Sequence, residues 1–546
     1  MKLSPAQAPA RVVFLVLDGV GDGPGDAFDA VALARTPNLD QLRREALVTA
    51  IRAHGTAVGL PSDGDIGNSE VGHNILGAGR VFPQGASSVE TAIASGAIWQ
   101  GCWRDVVGSV QASGGTLHLL GLLSDGNVHA HERHLFAMLD RAALEGLKRV
   151  RVHVLLDGRD VMDKTAHVHL ERLEQHLAAL RQAHGIDACI ASGGGRMAIT
   201  MDRYGADWPM VARGWQTHVL GQAPVFASAL AALQAARAAT ADLSDQYVPA
   251  FVVADAQGQA CGTVHDGDAV VLFNFRGDRA IEITRAFTEG AGFTEFERQR
   301  VPQVFFAGMM LYDGDAGIPA HFLVAPAAVS DTVSECLADS GVRQFACAET
   351  QKFGHITYFW NGNRSGKFND ATETYLEIPS DRVSFDQRPW MKSAETADAL
   401  LEAIADPGYQ FVRANFAGGD MVGHTGKLEA AILAVEAVDL AVGRLMQAAQ
   451  AQQLCLIVTA DHGNAEDMVE RDGKGQPLKD AAGQPMGRTS HTRSLVPFIV
   501  RDYSGRAWQL AEVAQPGLAN AAATIVTLLG LQVPAHFEPS LVRPAG

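Results

Sequence analysis

The sequence predicts an α/β fold divided between two domains. Short apolar, β-branched runs alternate with longer helix-patterned segments, the signature of largely parallel sheets covered by helices. Most of those runs end directly in a polar cluster, which is where open α/β sheets gather ligands. A chain of 546 residues is also too long for one core.

The predicted strands, in chain order, are residues 12–17, 116–122, 150–156, 188–191, 269–275, 304–307, 410–416 and 454–459. Helical periodicity is clearest over residues 171–183 and 429–450. The polar clusters that follow the strands read LDG, LSDGNVHAH, LDGRD, SGGGR, FNFRGDR, FAGGDMVGH and TADHGN. Two proline-containing segments, VFPQG at 81–85 and LVAPA at 323–327, mark candidate hinges. They divide the chain into a discontinuous domain of residues 1–84 and 325–546 and an inserted domain of residues 85–324.

Hydrophobic residues make up 47% of the chain and charged residues 19%, which supplies sizeable cores and argues against extended disorder. The formal net charge of -17 disfavours nucleic-acid and anionic-membrane partners, without bearing on a local basic pocket for a small anion. Six widely spaced cysteines form no C-x-x-C pair, so the expected setting is a reducing cytoplasm. The apolar run 12–17 is too short for a signal-peptide core or a membrane span, and a soluble protein is expected.

Metal-ligand chemistry is concentrated in the outer segments. Asp420 and His424 stand at i and i+4, where a helix projects both side chains from one face. Asp461 and His462 follow a strand in TADHGN, Asp18 follows the first strand, and His491 lies in RTSHTRS. Singly, each is what a turn-capping Asp or a structural His provides. Together, three carboxylates and three imidazoles suffice for two ions when a serine oxygen completes one shell. An oxygen and nitrogen set without thiolate suits Mn²⁺, Mg²⁺, Co²⁺ or Zn²⁺.

The segment GNSEVGH places Ser69 between a glycine turn and a helix starting near Glu70, where unpaired N–H groups favour a phosphate. A plain helix-capping role fits the same position. The longer stretch GLPSDGDIGNSEVGHNILGAGR closely resembles the nucleophile region of cofactor-independent phosphoglycerate mutases, within the alkaline phosphatase superfamily. That resemblance covers both outer segments and the insert. It implies an alkaline phosphatase-like core carrying an inserted substrate-binding domain, with Ser69 as the phosphorylated nucleophile. It also implies that Asp18, Asp461 and His462 ligate the metal that binds Ser69, and that Asp420, His424 and His491 ligate a second, with Mn²⁺ the first choice and no 2,3-bisphosphoglycerate required.

Between the hinges the clusters turn cationic: Arg159 with Asp160, Arg196, Arg203, Arg276 and Arg279, together with His129. Guanidinium groups bind carboxylate and phosphate in a forked geometry, and a phosphoglycerate carries both. The resemblance gives His129 in SDGNVHAH and Arg159 and Asp160 in LDGRD as substrate contacts, Asp160 being the candidate proton carrier, and Arg276 and Arg279 in FNFRGDR as further contacts. It places Lys352, in ETQKFGHITYFWNGN, on the phosphoryl group. The segment GRMAITMDR is longer than the common bacterial pattern and resembles the nematode and trypanosomatid branch, which offsets Arg203; residues 469–489 also look extended.

The expected reaction is therefore interconversion of 3- and 2-phosphoglycerate by a monomer. A related phosphatase or phosphodiesterase shares the serine and metals but has no use for the insert's arginines. A phosphopentomutase calls for a Thr nucleophile, and an inactive binding protein for the loss of a ligand; neither pattern is present.

Overall fold

The computed structural model describes residues 1–6, 10–203, 205–314, 316–327, 329–480 and 482–545. The chain forms two compact units, Met1–Gln84 with Ala328–Gly546, and Gly85–Ala327.

The first unit is built on a seven-stranded sheet in the order Glu373–Ile378, Gln344–Glu349, Phe411–Phe416, Val12–Leu17, Cys455–Thr459, Val496–Asp502, Leu47–Ile51. The sequence VVFLVL of Val12–Leu17 is buried on both faces, as a central parallel strand requires. Each of its side chains contributes about 1.5–3 kcal/mol by leaving water. Its neighbours Phe411–Phe416 and Cys455–Thr459 pair with it in parallel from Val12 onward. The sheet is not purely parallel, because Val496–Asp502 runs antiparallel to both of its neighbours. That reversal matters for the site: the antiparallel strand starts at the edge where the parallel strands end, so the segment that enters it, carrying His491, lies there too.

The second unit has an eight-stranded sheet ordered Phe322–Val324, Phe305–Met310, Ala269–Leu272, Leu117–Leu123, Arg149–Leu156, Asp187–Gly195, Phe251–Val253, Val225–Phe226. Only the contact between Asp187–Gly195 and Phe251–Val253 is antiparallel. A bulge interrupts the pairing of Arg149–Leu156 with Asp187–Gly195: Val152 faces Ile190, but His153 faces Ser192, with Ala191 skipped. Buried Trp103 and Trp215 fill the core beside the leucine- and valine-rich central strands. Among the described residues, no helix is long and apolar enough to cross a membrane.

Candidate active site

Four neighbouring strands of the first unit deliver functional groups to the same sheet edge. Gln344–Glu349 leads into the short helix Thr350–Gly354 with Lys352, and Phe411–Phe416 into helix Gly418–Gly423 with Asp420. Val12–Leu17 leads into Asp18, and Cys455–Thr459 into Asp461 and His462. Ser69 is the first residue of helix Ser69–Ala78, and the cap is Asn68, whose side chain accepts from the Val71 N–H at 3.1 Å. Capping is thus done by the neighbour, and the Ser69 hydroxyl is committed elsewhere.

Ser69 Oγ donates to Asp18 Oδ1 at 3.1 Å and lies 2.9 Å from His462 Nε2. The Lys352 ammonium donates to Ser69 Oγ at 2.5 Å, Asp18 Oδ1 at 2.7 Å and Asp420 Oδ2 at 2.6 Å. All of these side chains are buried. Burial works against the Lys352 charge, but Asp18 and Asp420 outweigh it and hold the ammonium above its ordinary value. Burial likewise opposes the Asp420 charge, and His424 and Lys352 hold that carboxyl well below the usual range.

Two overlapping groups have ligand atoms close enough to share a cation: Asp18, Asp461 and His462, and Asp420, His462 and His491. His424 adjoins the second, with Nε2 3.1 Å from Asp420 Oδ1 and 3.0 Å from His491 Nε2. All seven side chains read from the sequence as ligands therefore meet in one cluster. The donor set fits divalent cations. His424 Nδ1 faces the Thr489 carbonyl at 2.6 Å, His491 Nδ1 the Gly67 carbonyl at 2.9 Å, and His462 Nδ1 the Gly463 carbonyl at 3.2 Å. A carbonyl only accepts, so each ring carries a proton on Nδ1, which leaves Nε2 as the atom turned toward the carboxylates and the one that would ligate a cation. Three buried carboxylates converge there on a single lysine. Although burial opposes it, Asp461, Asp18 and Asp420 lift His462 to about 9, a measure of how strongly the cluster favours positive charge.

Sequence reasoning missed the groups that orient these ligands. Asn415 Nδ2 donates to Asp18 Oδ2 at 2.6 Å and to His73 Nε2 at 3.1 Å. His73 Nδ1 in turn reaches the Ser69 carbonyl at 2.8 Å and Asp461 Oδ2 at 3.2 Å. Asn464 Nδ2 donates to Asp420 Oδ1 at 3.2 Å. A positional signal existed for two of them: His73 stands one helical turn after Ser69, and Asn415 is polar within a wholly buried strand. Helix Ser69–Ala78 comes this close because residue 72 is glycine; a Cβ there would stand 2.7 Å from the Asp461 carbonyl oxygen.

The second unit holds a separate cluster at the ends of four consecutive strands. Arg196 NH1 pairs with Asp157 at 2.9 Å and with Asp160. Arg203 NH2 meets Asp278 Oδ2 at 2.8 Å, and Arg276 Nε meets Asp278 Oδ1 at 2.9 Å. His129 lies 3.9 Å from Asp160 and 3.7 Å from Asp278, and Arg279 donates to the Met201 carbonyl at 2.7 Å. The longer GRMAITMDR segment thus keeps Arg203 among these groups. Asp157 and Asp278 were not singled out in the sequence. Five buried guanidinium groups, those of Arg159, Arg196, Arg203, Arg276 and Arg279, share the region with the buried carboxylates of Asp157, Asp160, Asp202 and Asp278. Burial first, then Arg203, Arg159 and Arg196, pushes Arg279 well below its ordinary value, which reflects how closely the positive charges are gathered there. By contrast His169 is bound to Glu132 at 2.8 Å, and His134 is buried away from these groups' ion pairs.

A model of the Metalloenzyme superfamily matches residues 10–533. The 2,3-bisphosphoglycerate-independent phosphoglycerate mutase of Trypanosoma brucei brucei is 52% identical over 539 residues, 98% of each chain. A probable enzyme of the same name from Leptospira interrogans is 48% identical over 536 residues, covering 98% of this chain and 97% of its own. The crystal structure of Leishmania mexicana phosphoglycerate mutase at low cobalt concentration superimposes with a TM-score of 0.97 at 50% identity, covering 100% of both chains.

Proposed function

The chain belongs to the 2,3-bisphosphoglycerate-independent phosphoglycerate mutases of the metalloenzyme superfamily, and from that premise we propose that it interconverts 3- and 2-phosphoglycerate through a phosphoserine on Ser69. The observation that carries this reading is a buried serine hydroxyl within hydrogen-bond reach of Asp18, His462 and Lys352.

Asp18, Ser69, Asp461 and His462 would hold one divalent cation and Asp420, His424 and His491 a second, with Mn²⁺ the first choice; bound there, they would neutralise charge at the phosphoryl oxygens and acidify Ser69. Ser69 Oγ attacks phosphorus, the bond from phosphorus to the C3 oxygen breaks, and glycerate remains bound. Lys352 keeps positive charge beside the attacking oxygen throughout. The arginines of the second unit hold the glycerate carboxylate. Ser69 enters as the alkoxide, its proton released to solvent, and Asp160 enters protonated: it gives that proton to the departing C3 oxygen and then takes the proton of the C2 hydroxyl as that oxygen attacks phosphoserine, so the Ser69 alkoxide and the Asp160 proton are both restored. No external phosphate donor is consumed, and the enzyme acts as a cytoplasmic monomer in glycolysis and gluconeogenesis. The division of labour is chemical: one unit carries phosphoryl transfer, and the other carries retention of glycerate, which separates a mutase from a phosphatase.

The test is purified protein with 3-phosphoglycerate and no 2,3-bisphosphoglycerate, 2-phosphoglycerate being followed through enolase before and after chelation. Activity lost on chelation and restored by Mn²⁺ supports the proposal. Release of inorganic phosphate without isomerisation refutes it, and a Ser69→Ala protein that still becomes phosphorylated removes the nucleophile assignment.

A further inference from the structure

A line of buried polar side chains that plays no part in the chemistry above crosses the sheet of the second unit. Asp268 Oδ2 lies 3.1 Å from His118 Nε2; His118 Nδ1 lies 2.9 Å from His153 Nε2; His153 Nδ1 lies 2.7 Å from Ser192 Oγ. Ser192 Oγ lies 2.7 Å from His218 Nδ1, and His218 Nε2 lies 3.0 Å from Thr200 Oγ1. The bulge at Ala191 makes this continuity possible, since it turns Ser192 toward His153.

The protons in this line can be assigned by elimination. Asp268 already accepts backbone N–H groups from Thr116 and His265, both at 2.7 Å, so it is a carboxylate acceptor and His118 carries its proton on Nε2. Burial keeps His118 and His153 below the ordinary histidine value and His218 at about 3, so all three rings are neutral and own one proton each. His118 Nδ1 then accepts from His153 Nε2–H, and His153 Nδ1 accepts from the Ser192 hydroxyl. Ser192 Oγ accepts from His218 Nδ1–H, and His218 Nε2 accepts from the Thr200 hydroxyl. Every donor points the same way, from Thr200 toward Asp268.

Thr200 is where the line meets the arginine cluster. It is β-branched yet sits at φ +70°, a conformation such residues avoid. Gly214 leaves space for it, since a Cβ there would stand 2.2 Å from Thr200 Oγ1. The next residue, Met201, offers the carbonyl that receives Arg279, and Arg196 and Arg203 flank the same segment. We infer that His118, His153, Ser192 and His218 form a one-directional hydrogen-bond chain that holds Thr200 in its unfavourable backbone conformation, making all five positioning residues for the arginines that bind the substrate carboxylate. The inference rests on the clamp role proposed for those arginines.

Nitrogen-15 NMR of histidine-labelled protein, with signals assigned by single His→Gln variants, reads the protons directly. His118 and His153 are expected neutral with the proton on Nε2, and His218 neutral with the proton on Nδ1, without change between about pH 6 and pH 8. A charged ring or a different tautomer overturns the chain. Kinetics read its purpose. Ser192→Ala and Thr200→Val are expected to raise KM for 3-phosphoglycerate roughly tenfold, about 1.4 kcal/mol, with kcat within about threefold. Thr200→Ser, which keeps the hydroxyl, is expected to restore KM. If Arg279→Gln raises KM while Ser192→Ala and Thr200→Val leave it unchanged, the positioning role falls and the clamp stands. If Arg279→Gln itself leaves KM unchanged, the clamp reading fails and takes the purpose of the chain with it.

Discussion

Glu282→Gln is expected to stabilise the protein at alkaline pH. Glu282 lies in the first turn of helix Ile281–Thr288, is 4% exposed, and accepts the Gly205 N–H at 2.9 Å through Oε1. Its Oε2 has no hydrogen-bond partner among the described residues. Burial, reinforced by Asp202, pushes the carboxyl from 4.5 to about 8, so the folded chain keeps a proton through neutral pH. Between those values the unfolded chain has released that proton and the folded chain has not; stability therefore falls as pH rises from about 4.5 to about 8, and the loss persists above. At ~1.36 kcal/mol per pH unit, the ceiling on that loss is roughly 5 kcal/mol. Glutamine keeps the Oε1 acceptor and cannot ionise, so the variant lacks this slope. Urea unfolding at steps from pH 5 to 9, with infrared difference spectra to detect the neutral carboxyl, measures both quantities. Parallel stability curves for the two proteins, or no carboxyl band lost in the variant at neutral pH, refute the reasoning.

Three further outcomes follow from the site geometry. His73→Phe and Asn415→Leu, which remove the partners of Asp461 and Asp18, are expected to weaken Mn²⁺ binding by roughly 10–100-fold in calorimetric titration while leaving the fold intact. Gly72→Ala drives a methyl group to 2.7 Å from the Asp461 carbonyl oxygen and is expected to cost about 1–3 kcal/mol in denaturant unfolding, with weaker metal binding alongside. Burial lowers His169, but Glu132 outweighs it and raises the ring above its ordinary 6.5; the stabilisation is complete below that value and is lost as pH rises through the folded one. Glu132→Gln is expected to remove that part of the pH dependence of the melting temperature.

Several strands that end in chemistry were legible in the sequence because they are buried along their length: VVFLVL and CLIVT read as unbroken apolar runs, and RVRVHVLL as a β-branched and leucine run despite Arg151 and His153. Gln344–Glu349 and Glu373–Ile378 were missed because QFACAE and ETYLEI carry polar ends, and the latter lies at the sheet edge. Val496–Asp502 was missed because it follows a long irregular segment with no helical partner to frame it, and with it went the mixed character of the sheet. The Asp and His side chains that gather in the first unit could be singled out because several of them stand together at strand ends and at i, i+4. For Asn415 and His73 the sequence offered position alone, since what they orient depends on which elements become neighbours. His118, His153 and His218 are further from reach: read as packing residues or passed over, they become a chain only through strand register and a bulge.

The pairing of Val12–Leu17 also sets an order of events during synthesis. Its partners begin at Phe411 and Cys455, so the central strand of the first unit leaves the ribosome long before either of its edges can be paired. At about 5–20 residues per second, some 400 intervening residues take on the order of 20–80 s. The second unit is one continuous stretch, complete at Ala327, and can assemble during that wait. Throughout it, VVFLVL is a bare apolar ribbon with two open edges, the kind of segment that chaperones retain and aggregates recruit. A discontinuous domain therefore makes the nascent chain dependent on protection at its own N-terminus, and slowing translation beyond the insert is the condition under which that dependence would become visible.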